Sequence, residues 1–158
     1  WARVADEPRA VFADQTWMGV LGPEPEGFSP AWTAVREARD GAVQAVREGA
    51  EAGELPTGAE VDARAREILH SHGYGDEEIL HRTGHGIDRA LHGFGPNLDS
   101  VETRDERALV PGVGFSVEPG LYLEGRWGIR SEINVHVGAD GPEVTPGRVQ
   151  TEPWLDAG

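Results

Sequence analysis

His85, Glu118 and Glu132 are the residues whose types and settings could do chemistry. Each sits in a short segment of its own: HRTGHGIDRALHG (His81 to Gly93), FSVEPGLYL (Phe115 to Leu123) and IRSEINVHV (Ile129 to Val137). One imidazole and two carboxylates, set among glycines or alternating apolar residues, read as ligands for divalent metal ions. A carboxylate on a strand that otherwise buries Val and Ile is costly unless a cation compensates it. A metal ion would do so, and so would an arginine. Arg130 lies two residues from Glu132 on the same face of an extended chain, so it can pair with that acid or orient it as a supporting group.

His81 and His85 are four residues apart and His92 follows seven later. On a helix that spacing would place His81 and His85 on one face. Gly84 and Gly86 argue against a helix and for irregular chain whose backbone closely approaches a neighbour or ligand. The His-Glu-x-x-His pattern of helical zinc proteases is absent. Taken singly, His81 and His92 read as hydrogen-bonded, partly buried histidines; three histidines upstream of two strand carboxylates favour a site. Glu118 is followed by Pro119 and Gly120, which end its strand where side chains are commonly displayed.

The elements that must position these groups are legible from periodicity. Val11 to Met18 reads as a strand, and Val20 to Pro30 as a Gly- and Pro-rich loop. Ser29 as N-cap and Pro30 at the first turn predict a helix from about Pro30 to Ala50, with Trp32, Val35, Ala38, Ala42, Val43 and Val46 near one face and Gly53 as its stop. Thr57 and Glu60 form a capping box for a second helix carrying Val61, Ala65, Ile68 and Leu69, ending near Gly73 and Gly75. His70 and His72 fall in its last turn, where cationic or polar side chains suit the helix terminus. Val113, Phe115 and Val117 then alternate with Gly114, Ser116 and Glu118. From Ile129 to Val137 the odd positions are apolar or Ser131, while Arg130, Glu132, Asn134 and His136 face the other way. Both acids therefore project from faces of small or polar side chains, as in sheet strands lining a polar cleft. Asp140-Gly141 predicts the closing hairpin.

The 158 residues suit one ordinary domain. Acids outnumber bases 28 to 14, a formal charge of -14, which disfavours nucleic acid and anionic membrane surfaces as partners. All 14 basic residues are arginine. Without lysine there is no Schiff-base chemistry and no lysine-type phosphate loop. Without cysteine, disulfides, thiolate nucleophiles and Cys-ligated zinc are excluded, and the redox compartment stays open. No apolar run is long enough to span a membrane, and the first residues lack the pattern of a secretion signal. They also lack Met, so the start of the protein is expected upstream of Trp1.

With these residues in place, the chain resembles the pita-bread metallopeptidases, which include methionine aminopeptidases, prolidases and Xaa-Pro aminopeptidases. The resemblance runs from about Phe12 to Thr151 and rests on HRTGHGID, FSVEPGLYL and IRSEINV in that order. It implies an α+β pita-bread fold: a curved antiparallel sheet with helices on its outer face. It implies two divalent metal ions (manganese, cobalt or zinc) held by Asp, Asp, His, Glu and Glu. Matched motif by motif, FADQTW supplies Asp14, TGHGI His85, SVEPG Glu118 and RSE Glu132. His81 points to the Xaa-Pro branch, and His92 matches the histidine that contacts substrate near the scissile bond. Tyr122 and Arg130 match the supporting shell. By the same resemblance Glu118 also shuttles a proton, while His81 and His92 position substrate and stabilise a tetrahedral intermediate. The implied partners are a peptide with proline at its second position and, for the full-length protein, a second copy in a homodimer; the implied compartment is the cytoplasm.

Three departures qualify the match. The family's first metal aspartate stands roughly a dozen residues before the second; counting back from Asp14 reaches Trp1 to Val4, and the only nearby acids, Asp6 and Glu7, lie in a turn-like stretch. The 158 residues are therefore expected to be the C-terminal portion of a single catalytic domain, N-terminally truncated within its first hairpin. Asp88 stands where many relatives have Gly, and Gly93 where many have an acid. Gln15 replaces an apolar residue. Two other readings stay open: a catalytically impaired pita-bread domain that binds peptides or proteins, and a lyase on the same scaffold.

Overall fold

The protein is described here from a computed structural model, which places Ala2, Arg3, Glu7 and residues 9–156. Helix α1 (Phe28–Ala52) buries Phe28, Ala31, Trp32, Val35, Ala38, Ala42, Val43 and Val46, a stripe at helical spacing. It starts two residues before the sequence signal. Gly27, at φ 80°, is the N-cap, and the Ser29 hydroxyl instead donates to Glu24 Oε1 at 2.6 Å. The cause is apolar: Phe28 is buried edge-on against the Trp127 ring, centroids 6.2 Å apart, so packing carries the helix past its polar cap. Gly53 closes the helix at φ 76°, as expected.

Helix α2 (Gly58–Ser71) has both bonds of the capping box, Glu60 N–H to Thr57 Oγ1 at 3.2 Å and Thr57 N–H to Glu60 Oε2 at 2.8 Å. It packs against α1 so closely that a Cβ on Gly41 would lie 2.2 Å from Ile68 Cδ1. His70 and His72 pair with Asp76 and Glu37 on the surface, in keeping with their ordinary helix-terminal role.

A four-stranded antiparallel sheet runs in the order β4 (Gly86–Ile87), β5 (Gly114–Val117), β8 (Ile133–Gly138) and β9 (Gly141–Thr145), with Phe115 opposite Val135 and Val135 opposite Val144. Beside it, β6 (Gly120–Leu123) and β7 (Trp127–Arg130) form a hairpin. The single strand expected from Ile129 to Val137 is thus two. The chain leaves one sheet for the other at Ser131-Glu132, because β7 takes its partner from β6 and β8 from β5. The alternation survives the break. Ile129, Ser131, Ile133, Val135 and Val137 are all buried, and Arg39 of α1 reaches across to donate to Ser131 Oγ at 2.7 Å. The helices therefore cover the apolar face, and Arg130, Glu132 and Asn134 line the opposite one. The closing hairpin turns at Ala139-Asp140, with Gly141 at φ 116°.

Val11 to Met18 is likewise not one strand. Only β2 (Phe12–Ala13) pairs there, with β1 (Ala2–Arg3); Thr16 bridges to Glu132, and β3 (Gly19–Leu21) follows. Side-chain amides replace the ladder in between. Asn134 bonds both the N–H (3.0 Å) and the carbonyl (2.5 Å) of Asp14, and Gln150 does the same for Met18 at 2.7 Å each. β3 pairs in parallel with β10 (Trp154–Asp156), a feature outside the antiparallel expectation. Leu21, Trp154 and Leu155 on this ribbon are exposed.

Candidate metal centre

His85 lies in a strap sewn to β5. Ser116 N–H donates to the His85 carbonyl (2.8 Å), His85 N–H to Ser116 Oγ (2.9 Å) and Glu118 N–H to the Thr83 carbonyl (2.7 Å). Gly84 is what permits this approach, since a Cβ there would sit 2.0 Å from the Ser116 carbonyl oxygen. The His85 Nδ1–H donates to the Gly86 carbonyl at 3.0 Å, because a carbonyl can only accept. Its Nε2 lone pair is thereby turned toward the acids.

Asp14, His85 and Glu132 bring one ligand atom each within 4.8 Å of one another. His85 Nε2 stands 3.7 Å from Asp14 Oδ2 and 3.4 Å from Glu118 Oε1. Those separations exceed a direct hydrogen bond and lie near the roughly 3.4 Å edge between two ligands about 2.1 Å from a shared tetrahedral ion. Glu132 Oε1 is buried and lacks a hydrogen-bond partner among the described residues, while Oε2 accepts from Thr16 Oγ1 at 2.6 Å. A buried carboxylate oxygen without a donor is what a cation would satisfy. The donor set of carboxylates and one imidazole fits a hard to intermediate divalent ion.

Electrostatics agree with that fit. Burial pushes the Glu132 carboxyl above its usual range, and the Glu118 charge adds to the effect. Burial raises Glu118 too, against the pull of His85 and Arg130. Arg130 Nη1 lies 3.3 Å from Glu118 Oε2, nearer than its 3.7 Å approach to Glu132, and its guanidinium also donates to Thr16 Oγ1. Arg130 thus bridges both acids, with its first allegiance to Glu118.

His81 lies at the edge of the same region. Its Nδ1–H donates to the Arg82 carbonyl at 2.7 Å, so Nε2 accepts the Tyr122 hydroxyl proton at 2.8 Å. Burial lowers the His81 pKa and raises that of Tyr122, so both are neutral at pH 7. His92 is exposed and packs edge-on against the His85 ring with centroids 4.3 Å apart. Its loop is clamped by Asp88, whose carboxylate accepts from Ala90 N–H (2.6 Å) and Phe94 N–H (3.0 Å). A Cβ at Gly93 would come within 2.8 Å of the Asp88 carboxyl carbon. The two departures at 88 and 93 are therefore one paired feature: the clamp needs the glycine.

Asp14, His85, Glu118 and Glu132 lie together here with Arg130, and His81, Tyr122 and His92 lie at the edge of the same region. Of the two acids near the start, Asp6 lies outside the described residues. Glu7 is exposed and accepts from Arg9 N–H. The described part of β1, Ala2-Arg3, offers no carboxylate beside Asp14. Sequence reasoning missed Thr16, Ser116 and Asn134. Period-two spacing could have found the first two: Thr16 is two residues after Asp14 and Ser116 two before Glu118. It also missed the buried pair Asp62 and Arg66 on α2, although an acid and a base four apart beside an apolar stripe are a visible signal.

Residues 9–139 match metallopeptidase family M24. The chain belongs to that family. It is 35% identical over 129 residues to the probable dipeptidase PepE of Mycobacterium tuberculosis, covering 82% of this chain and 32% of that one. The Xaa-Pro dipeptidase of Pyrococcus furiosus is 33% identical over 82% of this chain and 34% of its own length. Among solved structures, a dipeptidase from Pyrococcus horikoshii superposes with a TM-score of 0.79 at 30% identity, over 93% of this chain and 37% of that one. An X-Pro aminopeptidase from Thermotoga maritima gives 0.77 at 29%, over 94% and 41%. The M24 chain described here spans about a third of the length of the curated relatives it matches. Its α+β architecture is the pita-bread fold of these peptidases.

Proposed function

We propose that the protein of which this chain is part hydrolyses peptides at an Xaa-Pro bond, with Asp14, His85, Glu118 and Glu132 holding two divalent ions. The observation that carries the reading is the orphaned Glu132 Oε1 inside a cluster whose spacings suit ligands of a common cation. Bound divalent ions supply Lewis acidity and an activated water in such sites. Glu118 is the group placed to take and return a proton, because burial has already raised its affinity for one. Arg130 keeps that carboxylate oriented and compensates part of its charge. Neutral His81, with its Nε2 held by Tyr122, and exposed His92 line the approach and can donate to or accept from a peptide group once substrate displaces their present partners. The similarity to a named Xaa-Pro dipeptidase and the presence of His81 favour a substrate with proline second. The remaining aspartate is assigned to chain preceding Asp14, which makes these residues the C-terminal portion of one catalytic domain.

The test is turnover of Xaa-Pro dipeptides and longer Xaa-Pro peptides by the full-length protein with added manganese, cobalt or zinc. Glu118→Ala is expected to lower kcat about 100- to 10,000-fold, the usual range for a positioned acid–base group. Unchanged turnover in that variant would sink the assignment of Glu118. Peptide binding without turnover in the wild type would move the protein to the binding-module reading. Turnover confined to substrates without a proline bond would displace the Xaa-Pro specificity.

A further inference from the structure

The His81 strap is tethered from behind by a polar pair that belongs to neither the metal cluster nor its immediate partners. Asp62, on α2, is 0% exposed, and its carboxylate takes four donors. They are Thr83 N–H (2.8 Å), Arg66 Nε–H (2.9 Å), Ser100 N–H (2.8 Å) and Ser100 Oγ–H (2.5 Å). Arg66, 6% exposed, spends its other arm on the His81 carbonyl, Nη2 to O at 3.0 Å. The pair thus grips the backbone on both sides of Arg82, at the His81 carbonyl and the Thr83 amide. The carbonyl of the same Thr83 accepts the Glu118 amide.

We infer that Asp62 and Arg66 are positioning residues for His81. Through the backbone they set where its imidazole meets Tyr122, and hence where it meets substrate. This rests on the reading of His81 as a substrate-facing group. The physical case is the geometry of one guanidinium serving two targets. Nε satisfies Asp62 while Nη2, held in the same plane, reaches His81; a lysine ammonium at that position could keep the ion pair but not both directions. From Thr83 to His85 the strap is sewn to β5 and bridged at Gly84 to Leu98, but its His81 end is irregular chain outside any strand, tied otherwise through Arg82 N–H to Glu102 Oε1 at 2.8 Å. A helix face supplies the rigidity that irregular chain lacks.

The experiment separates positioning from stability in the 158-residue chain. Arg66→Lys is compared with Ser100→Ala, which also removes an Asp62 hydrogen bond but does not touch the His81 carbonyl. Both are expected to lower the melting midpoint by a few degrees. Only Arg66→Lys should broaden or shift the His81 Nδ1–H and Nε2 signals in nitrogen-15 NMR, with those of His85 unmoved. Equal His81 spectra in the two variants, or shifts in Arg66→Lys spread evenly over His81 and His85, would overturn the proposal.

Should Arg66→Lys fail to fold, wild-type hydrogen exchange still decides. The Thr83 amide is expected to exchange as slowly as the core amides of α1, and exchange faster by about tenfold or more would show that the strap is not held. In full-length protein that turns over peptide, Arg66→Lys should lower kcat about tenfold or more, a misplacement effect, while Ser100→Ala stays near wild type. Combined with His81→Ala, Arg66→Lys should add no further loss, as a residue acting through His81 must. Additive losses would overturn the proposal. Absence of any wild-type turnover would count against the peptidase reading alone and leave the spectroscopic outcome to decide this one.

Discussion

Asp62 and Glu132 are both withdrawn from solvent, at 0% and 1% exposure, yet their surroundings treat them in opposite ways. Asp62 is saturated by a guanidinium, two amides and a hydroxyl. Burial works to raise its pKa, but the bonds from Ser100, Thr83 and Arg66 together outweigh it, and the carboxyl titrates below its ordinary value. Asp105 belongs to the same class: hydrogen bonds from Arg107, aided by backbone amides, hold it down to about 2. Asp99 accepts the amides of Val101, Glu102 and Thr103. Among the described residues Glu132 receives one hydroxyl on one oxygen and no donor on the other, and both it and Glu118 are pushed up. The first group fastens the 95–107 loop and the His81 strap to α2. Glu132 is left short of a donor where a cation can supply what is missing, whereas Glu118 accepts from Ser116 Oγ–H at 3.0 Å and faces Arg130. Burial alone does not single out a candidate functional carboxylate; burial without enough donors does.

The contrast can be broken most forcefully at Asp62. Asp62→Ala strands the Arg66 charge and three donors inside the protein, and unfolding by urea should show a loss of about 3–5 kcal/mol. A loss under about 1 kcal/mol would mean that water or neighbours replace the carboxylate easily, and that the two groups of acids differ less than their geometry implies.

Asp105→Asn is expected to cost about 2 kcal/mol at neutral pH, from the drop between 3.8 unfolded and about 2 folded. The sign follows from a depressed folded pKa: the stabilisation is present above about pH 4 and vanishes as pH falls through 2. Wild type and variant should therefore converge in stability in acid. Parallel curves across that window would remove Asp105 from the saturated class.

The smallest effect has the opposite sign. The raised pKa of Glu132 means that the metal-free fold prefers the protonated form, so its contribution is favourable in acid and declines as pH rises through the folded pKa. At pH 7 to 8, Glu132→Gln should raise the midpoint of the metal-free chain by roughly 2–4 °C, the equivalent of about 1 kcal/mol. The same variant should lose the stabilisation that added manganese, cobalt or zinc confers on the wild type by mass action. A variant that is less stable without metal, or that still responds fully to metal, would place Glu132 with Asp62 instead.

Most of what is chemical here was legible along the chain. His85, Glu118 and Glu132 announce themselves because their neighbours are glycines or alternating apolar residues, and Thr57 and Glu60 mark their helix because the capping box is local. The errors have a common origin. Ser29 lost its capping role to the burial of Phe28 against Trp127, some hundred residues away in sequence. The strand from Ile129 to Val137 broke in two because β6 and β5 compete for its halves, and the strand near Asp14 dissolved because Asn134 and Gln150 supply bonds that no local rule anticipates.

By itself the sequence singled out candidate ligands for a cation, and it determined which faces of the strands carry them and where both helices run. Those properties follow from side-chain type and from periods of two and 3.6, and neither needs a distant partner. Only the tertiary structure decided that Arg130 favours Glu118 over Glu132, that Glu132 keeps one oxygen without a donor, and that Asp62 and Arg66 reach from a helix to grip the His81 strap. Each is a question of which polar atoms meet across long separations in the chain, and only packing settles that.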